Sequence, residues 1–200
     1  MQRLLWLLAI IVTGLLISVF VPTSVSAPKN PTDSRAVFLI DHGTHSSLAI
    51  ETLDGQMLRY SYGDFRYYAE RDTGLATGAA ALLWPTAATL GRGELEEPAL
   101  EQSLREQLVV VVEQVYPFQV SGARADLLIT KLDEIYQRGA GELVEVPEYG
   151  LIFSPHPTDY FWGSNSSTMI GVWLKELGFE VFGWALLSSW SVTATEALPR

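Results

Sequence analysis

The chain has no cysteine. That excludes disulfides, a thiolate metal site and a cysteine nucleophile. Histidine is scarce too: His42, His45 and His156 are the whole complement, and His42 with His45 would supply only half of a metal site. No metal and no cofactor is expected. Basic residues are few, 13 against 23 acids, for a formal net charge of -10. No cluster of Lys and Arg exists to displace counterions from phosphates, so nucleic acid is not an expected partner. The same deficit disfavours contact of the folded part with an anionic lipid surface. Repeats and low-complexity tracts are missing beyond the first residues. Aromatics are present in number (Trp 6, Tyr 8, Phe 8), which excludes a disordered chain. A length of 200 residues fits one domain and a short extra segment.

The extra segment is at the start. Leu4 to Val21 is an uncharged apolar run of 18 residues. As a helix it would span roughly 27 Å, close to the hydrocarbon thickness of a bilayer. Arg3 and the terminal amine precede it, which holds the N-terminus in the cytoplasm and sends the rest across. Val25-Ser26-Ala27 offers a small-residue cleavage site, but Pro28 follows and hinders it. The expected organisation is an anchor or signal segment over 1–27, a linker over 28–35 and an extracytoplasmic domain over 36–200. The Pro- and Ser-containing stretch 22–35 reads as a tether. The expected location is the membrane, with the domain in the periplasm or outside the cell, or secretion if the leader is cut.

Ala36 to Asp41 reads as a buried strand, Ser47 to Thr52 as a second, and Met57 to Gly63 as a third returning through an Asp54-Gly55 turn. His42-Gly43-Thr44-His45 separates the first two. Thr73 to Leu83 reads as a helix ended by Pro85, and Trp84 to Gly93 as loop. Pro98 to Gln107 has helical character, and Leu108 to Val120 reads as a strand broken near Pro117. Ser121 opens an amphipathic helix with Leu127, Leu128, Leu132 and Ile135 on its apolar side, closed by Gly139. Leu143–Val146, Tyr149–Phe153 and Thr158–Trp162 read as extended. Met169 to Leu177 reads as a helix closed by Gly178, and Phe182 to Val192 as an apolar tail packed on the domain. Strands, intervening helices and more strands suit a mixed α+β sheet.

Two polar features carry chemistry. His45 stands at the entry to the second strand, and Asn165-Ser166-Ser167-Thr168 precedes the last helix. A hydroxyl at a helix start gains free N–H groups and positive dipole character, and an imidazole brought beside it acts as base. Asp64, with Glu51 as second choice, is the carboxylate placed to orient His45. The plain alternative is that Asn165 and Ser166 only cap the helix.

Val37 to Leu48 with Gly-Thr-His-Ser, Tyr60 to Tyr67 with Tyr-Gly-Asp-Phe, Leu83-Trp84-Pro85-Thr86 and Phe161 to Gly178 together resemble an uncharacterised bacterial family of membrane-anchored proteins. That family resembles the circularly permuted branch of the papain-like, NlpC-type hydrolases. The resemblance implies a permuted papain-like mixed sheet with packed helices, His45 at the histidine position and Ser166 where relatives carry the nucleophilic cysteine. A hydroxyl does not ionise as a thiol does. The expectation is therefore a degenerate cleft with an inactive or binding role, lined by Tyr60, Tyr62, Tyr67, Phe161, Trp162 and Asn165. The alternative is a serine-variant hydrolase or acyltransferase acting on amide or ester bonds of envelope material, with Ser166, His45 and Asp64 as its catalytic residues. An envelope peptide or lipid is the expected ligand.

Overall fold

The computed structural model describes Trp6, Thr13 and residues 21–96 and 101–193. Nearly all of the apolar run Leu4–Val21 lies outside the described residues, as do 97–100 and 194–200. Among the described residues no helix is long and apolar enough to cross a membrane.

The domain is a mixed α+β structure built on a seven-stranded sheet. Its strands are β2 (Ser34–Asp41), β3 (Ser46–Glu51), β4 (Met57–Asp64), β5 (Thr86–Leu95), β6 (Gln114–Ser121), β7 (Val144–Val146) and β8 (Leu151–Tyr160), in the order β6-β2-β3-β4-β5-β8-β7. Every neighbouring pair is antiparallel. A second, three-stranded sheet orders β10 (Trp190–Val192), β1 (Thr23–Ser26) and β9 (Glu180–Phe182). The helices are α1 (Leu75–Leu83), α2 (Glu101–Gln107), α3 (Gly122–Arg138) and α4 (Ser166–Glu176).

The large sheet is covered on both faces, which is why β2 is an unbroken buried run rather than an alternation. On the first face Val37, Leu39, Leu48, Ile50, Leu58, Tyr60, Tyr62 and Leu90 meet α3 and α4 through Leu128, Leu132, Ile170, Trp173 and Leu174. On the second face Ala36, Phe38, Ile40, Ala49 and Met57 meet Leu104 of α2 and Leu108. Further along that face, Ala69, Val146, Leu151 and Phe153 form a smaller cluster with Tyr68 and Tyr149 at its edge.

Several expectations need correction. The tether over 22–35 contains β1: Thr23 pairs with Trp190, Ser24 with Phe182, and Val25 is fully buried. An apolar run directly before a short Ser/Thr/Val segment hides a strand whose partners come from the far end of the chain. The expected loop from Trp84 to Gly93 is mostly β5, a central strand. Its glycines lower the strand signal, yet they are steric necessities. A Cβ on Gly91 would come within 2.7 Å of Phe153 Cε1, and one on Gly93 within 2.5 Å of the Gly150 carbonyl oxygen.

The sixth strand starts at Gln114 rather than Leu108, and Pro117 is tolerated inside it because β6 is an edge strand. The expected extended stretches at 149–153 and 158–162 are one strand, β8, running through Pro155 and Pro157. Strand β7 covers only Leu151–Phe153, so the two missing N–H groups fall where β8 has no second neighbour. Leu127 is 72% exposed and is not on the apolar side of α3, whereas Leu128 and Leu132 are buried.

Strand β1 makes a test of processing. Cleavage after Ala27 would remove it, together with the bonds Thr23 N to Ser189 O and Thr193 N to Val25 O. We expect N-terminal sequencing of the mature chain to begin upstream of Thr23. Val25→Ala should lower stability by about 2 kcal/mol in an unfolding titration. A mature chain starting at Pro28 with an unchanged unfolding midpoint would remove β1 from the core.

Candidate functional site

The β2–β3 turn is locked before any functional side chain is considered. Gly43, at φ +90°, donates its N–H to Asp41 Oδ1 at 2.8 Å, and a side chain there would strike Glu113. From the first face, Trp190 Nε1–H donates to Ser46 Oγ at 3.0 Å, Ser46 contacts Ser188 Oγ at 2.7 Å, and the Ser188 hydroxyl donates to Asp41. The C-terminal tail thus holds the turn that carries His42 and His45.

Register decides where their rings go. Ser47 faces Ser61 and Ala49 faces Arg59 across β3 and β4. These odd-numbered residues lie on the second face, opposite Leu48, Tyr60 and Tyr62. His45 Nε2 is 2.7 Å from Ser61 Oγ, and His45 Nδ1 is 3.0 Å from the Tyr68 hydroxyl. His42 Nδ1–H donates to the Val111 carbonyl at 2.7 Å, so its Nε2 accepts from Ser47 Oγ at 2.9 Å. Ser47 Oγ in turn accepts from Arg59 Nε–H at 3.2 Å, and Arg59 Nη1–H donates to the Tyr149 carbonyl at 2.9 Å.

Tyr68 reaches His45 through a wide helical turn over Phe65–Ala69. Asp64 starts the turn by accepting from Tyr67 N–H at 2.7 Å, and Glu70 N–H closes it on the Phe65 carbonyl at 3.1 Å. Gly63 is what lets the Tyr68 ring lie on the strand, since a Cβ there would come within 2.4 Å of Tyr68 Cδ2.

The cluster is cationic by one group and otherwise neutral. Arg59 is 3% exposed and has no carboxylate partner among the described residues. Burial lowers its pKa to about 10. Burial, then the Arg59 charge, lowers His42 to about 4 against the upward pull of the Val111 carbonyl. Burial, then His42 and Arg59, lowers His45 to about 3. A base with so low a pKa is a poor proton acceptor for a hydroxyl.

Ser166 is elsewhere. It is the first residue of α4, which packs on the first face of β3 and β4, so sheet parity puts the helix and the His45 ring on opposite faces. Each imidazole nitrogen makes one hydrogen bond, and both of those of His45 are used by Ser61 and Tyr68. The expected meeting of His45 with Ser166 is not what this arrangement gives. Asn165 is the N-cap of a full capping box. Its Oδ1 accepts from Thr168 N–H at 3.0 Å, and its own N–H donates to Thr168 Oγ1 at 2.7 Å. The Asn165 amide also donates to the Trp162 and Leu186 carbonyls. The Tyr160 phenol, whose pKa burial raises to about 12, lies near the start of this helix.

The expected orienters are engaged as well. Asp64 accepts from Tyr67 N–H and from the Thr86 hydroxyl, and Glu51 Oε2 accepts from Ala36 N–H at 2.7 Å. Neither bonds His45. Of the expected cleft residues, Tyr60 and Tyr62 are fully buried core, tied to Asp133 and to the Thr158 and Asp159 carbonyls. Tyr67 does line a cavity of about 430 Å³, with Asp64, Tyr68, Leu75, Leu82 and Tyr160. Trp162 is 51% exposed and its backbone N–H donates to the Leu82 carbonyl near the C-terminal end of α1; Phe161 stacks edge-on to it. Helix α1 roofs this cavity. It is apolar, yet Leu75, Leu82 and Leu83 are exposed and only Ala81 is buried.

No protein-family model, no curated protein and no solved structure matches the chain. Among the described residues no group of three or more His, Asp or Glu side chains is placed to hold a metal ion. Sequence reasoning missed Arg59, Ser61 and Tyr68. The signal available was the alternation Met57, Arg59, Ser61 within a strand whose neighbours are apolar on both faces.

The histidines give a pH prediction with a definite sign. Both folded pKa values lie below the unfolded value of about 6.5, so the folded state binds fewer protons. Their contribution to stability is complete above about pH 6.5 and is lost as pH falls toward about 4 for His42 and about 3 for His45. The thermal midpoint should drop across that window, and ring NMR signals of His42 and His45 should stay neutral at pH 5.5. A titration of either ring near 6.5 would refute the buried, neutral pair.

Proposed function

We propose that this chain is a membrane-tethered extracytoplasmic binding module with a degenerate permuted papain-like fold. The observation that carries the reading is the double engagement of His45 by Ser61 and Tyr68, which leaves no imidazole nitrogen for a nucleophile. Order along the chain supports the fold reading. An early histidine turn and a late helix packed on β3 and β4 follow the order of parts that the resemblance implies. The capping box at Asn165 gives the helix start a structural role without chemistry.

Location is proposed from continuity. Thr23 opens β1 only two residues after the apolar run ends at Val21. Beside it lie Phe182, which pairs with Ser24, and Trp184, both more than half exposed. Aromatic side chains next to a chain's exit from a bilayer suit the interfacial belt. The ligand is proposed to be an envelope peptide or lipid whose apolar part enters the cavity under α1, between Tyr67, Tyr160 and Leu82. That volume is within the range of about 300–1,000 Å³ typical of small-ligand sites.

A fluorophosphonate probe separates this reading from a serine hydrolase. The binding reading expects no labelling of the folded chain from about pH 6 to 9. Ser166→Ala should leave stability nearly unchanged, while Asn165→Ala should cost about 1 kcal/mol through the lost cap. Ser166→Cys should react with iodoacetamide no faster than an ordinary buried thiol. Labelling that disappears in both Ser166→Ala and His45→Ala would establish the hydrolase instead.

A further inference from the structure

The face of the sheet away from Ser166 holds a small chamber that the binding cleft under α1 does not use. Its volume is about 90 Å³, and His42, His45, Arg59, Ser61, Tyr68, Val110, Tyr149, Leu151 and Phe153 bound it. Counting donors and acceptors around it leaves a surplus of one kind. Arg59 has five N–H groups, of which Ser47 and the Tyr149 carbonyl take two, so three have no acceptor among the described residues. His45 adds a fourth unused donor whichever way its proton sits. If Tyr68 O–H donates to Nδ1, then Nε2–H donates to Ser61 and the Ser61 hydroxyl hydrogen is left over. In the other tautomer Ser61 donates and the Tyr68 hydrogen is left over. Nothing acidic compensates: no carboxylate lies within ion-pair distance of Arg59 among the described residues, and both histidines present uncharged rings.

A buried guanidinium without a counter-charge is costly to keep, and replacing it by an apolar side chain is often neutral or stabilising. A group that supplies acceptors and one negative charge would resolve both imbalances. The shape of the chamber narrows the choice. Its polar groups, Arg59, Ser61 and Tyr68, are joined by apolar walls from Val110, Leu151 and Phe153. A tetrahedral oxyanion needs donors around all of its oxygens, whereas a carboxylate needs them on one end. A planar carboxylate also matches the guanidinium fork in a paired geometry. The volume is far below the range of about 300–1,000 Å³ for drug-sized ligands, so the tail is short.

We infer that the Arg59 chamber is a binding site for a short-chain aliphatic carboxylate, held by the guanidinium and by a hydroxyl of Ser61 or Tyr68. The site does not depend on the role of the cavity under α1, from which the Tyr68 side chain separates it.

The test uses the full chain in a mild nonionic detergent. Sodium propionate is titrated against sodium chloride at equal ionic strength, neutral propionamide and sodium phosphate. Ring signals of His42 and His45 and the thermal midpoint are followed. Propionate should produce a saturable shift of both ring signals and raise the midpoint, and the other three should not. Arg59→Gln should weaken propionate binding about tenfold or more, the loss of a charge-assisted hydrogen bond. Ser61→Ala, a small change on the same strand, provides a second variant and should weaken it several-fold. A propionate response equal to that of chloride would overturn the inference, and so would a response retained in folded Arg59→Gln. Saturation by phosphate but not propionate would overturn the carboxylate assignment.

Discussion

The register of β3 on β4 is the constraint from which the rest of the site follows. Ser47 opposite Ser61, and Ala49 opposite Arg59, send one set of side chains away from α3 and α4 and the other set toward them. A slip of one residue would exchange the sets, moving Arg59 into the apolar core under the helices and Tyr60 out of it. The Asp54-Gly55 turn, with Thr52 N–H bonded to the Gln56 carbonyl at 2.8 Å, fixes that register locally. Everything polar on the second face, the two histidines, the two serines and the arginine, is placed by this one alignment.

Once placed, the cluster is held by convergence from distant parts of the chain. The turn 42–45 is tied on one side to Ser188, whose hydroxyl contacts the His45 carbonyl, and on the other to Val111, while the adjoining Ser46 is held by Trp190. Tyr149, far along the chain, supplies both a wall and a carbonyl acceptor for Arg59. Such over-determination is what allows a desolvated guanidinium to persist, since each neighbour is itself fixed by strand pairing or by a backbone bond. It also explains why the histidines stay neutral. Their protonation would add charge beside Arg59 in a place from which water is largely excluded, so repulsion and burial act in the same direction.

What was legible in the sequence follows from which signals are local. The hairpins of β2 to β4 show in short β-rich runs and an Asp-Gly turn, and the start and stop of α3 show in Ser121 and Gly139. Strand β5 does not show, because its glycines answer to Phe153 and Gly150, residues some 60 positions away. Strand β1 does not show, because its partners are the last two strands. His45 stands out as a residue, but its direction is a property of register and its partner is a property of the turn at Gly63. Arg59 looks from the sequence like the solvent side of an alternating strand. Only the packing of Val110, Tyr149 and Phe153 over that side turns a surface cation into a buried one.

The same logic bears on the exchange of a thiol for a hydroxyl implied by the family resemblance. A nucleophile at position 166 would need a base on the first face of the sheet and a free amide at the helix start. The first face opposite α4 offers Tyr60 and Tyr62, both buried and both donating their hydroxyls to other groups. The neighbouring Asn165 is committed too, its Oδ1 to the helix cap and its amide to the Trp162 and Leu186 carbonyls. The side chains that the resemblance would assign to a hydrolase are therefore each committed to a different stabilising contact. A thiol placed at position 166 would still leave the imidazole on the opposite face, held by Ser61 and Tyr68. The polar cluster around His45 is built around a fixed positive charge, which is suited to holding an anion rather than to moving a proton.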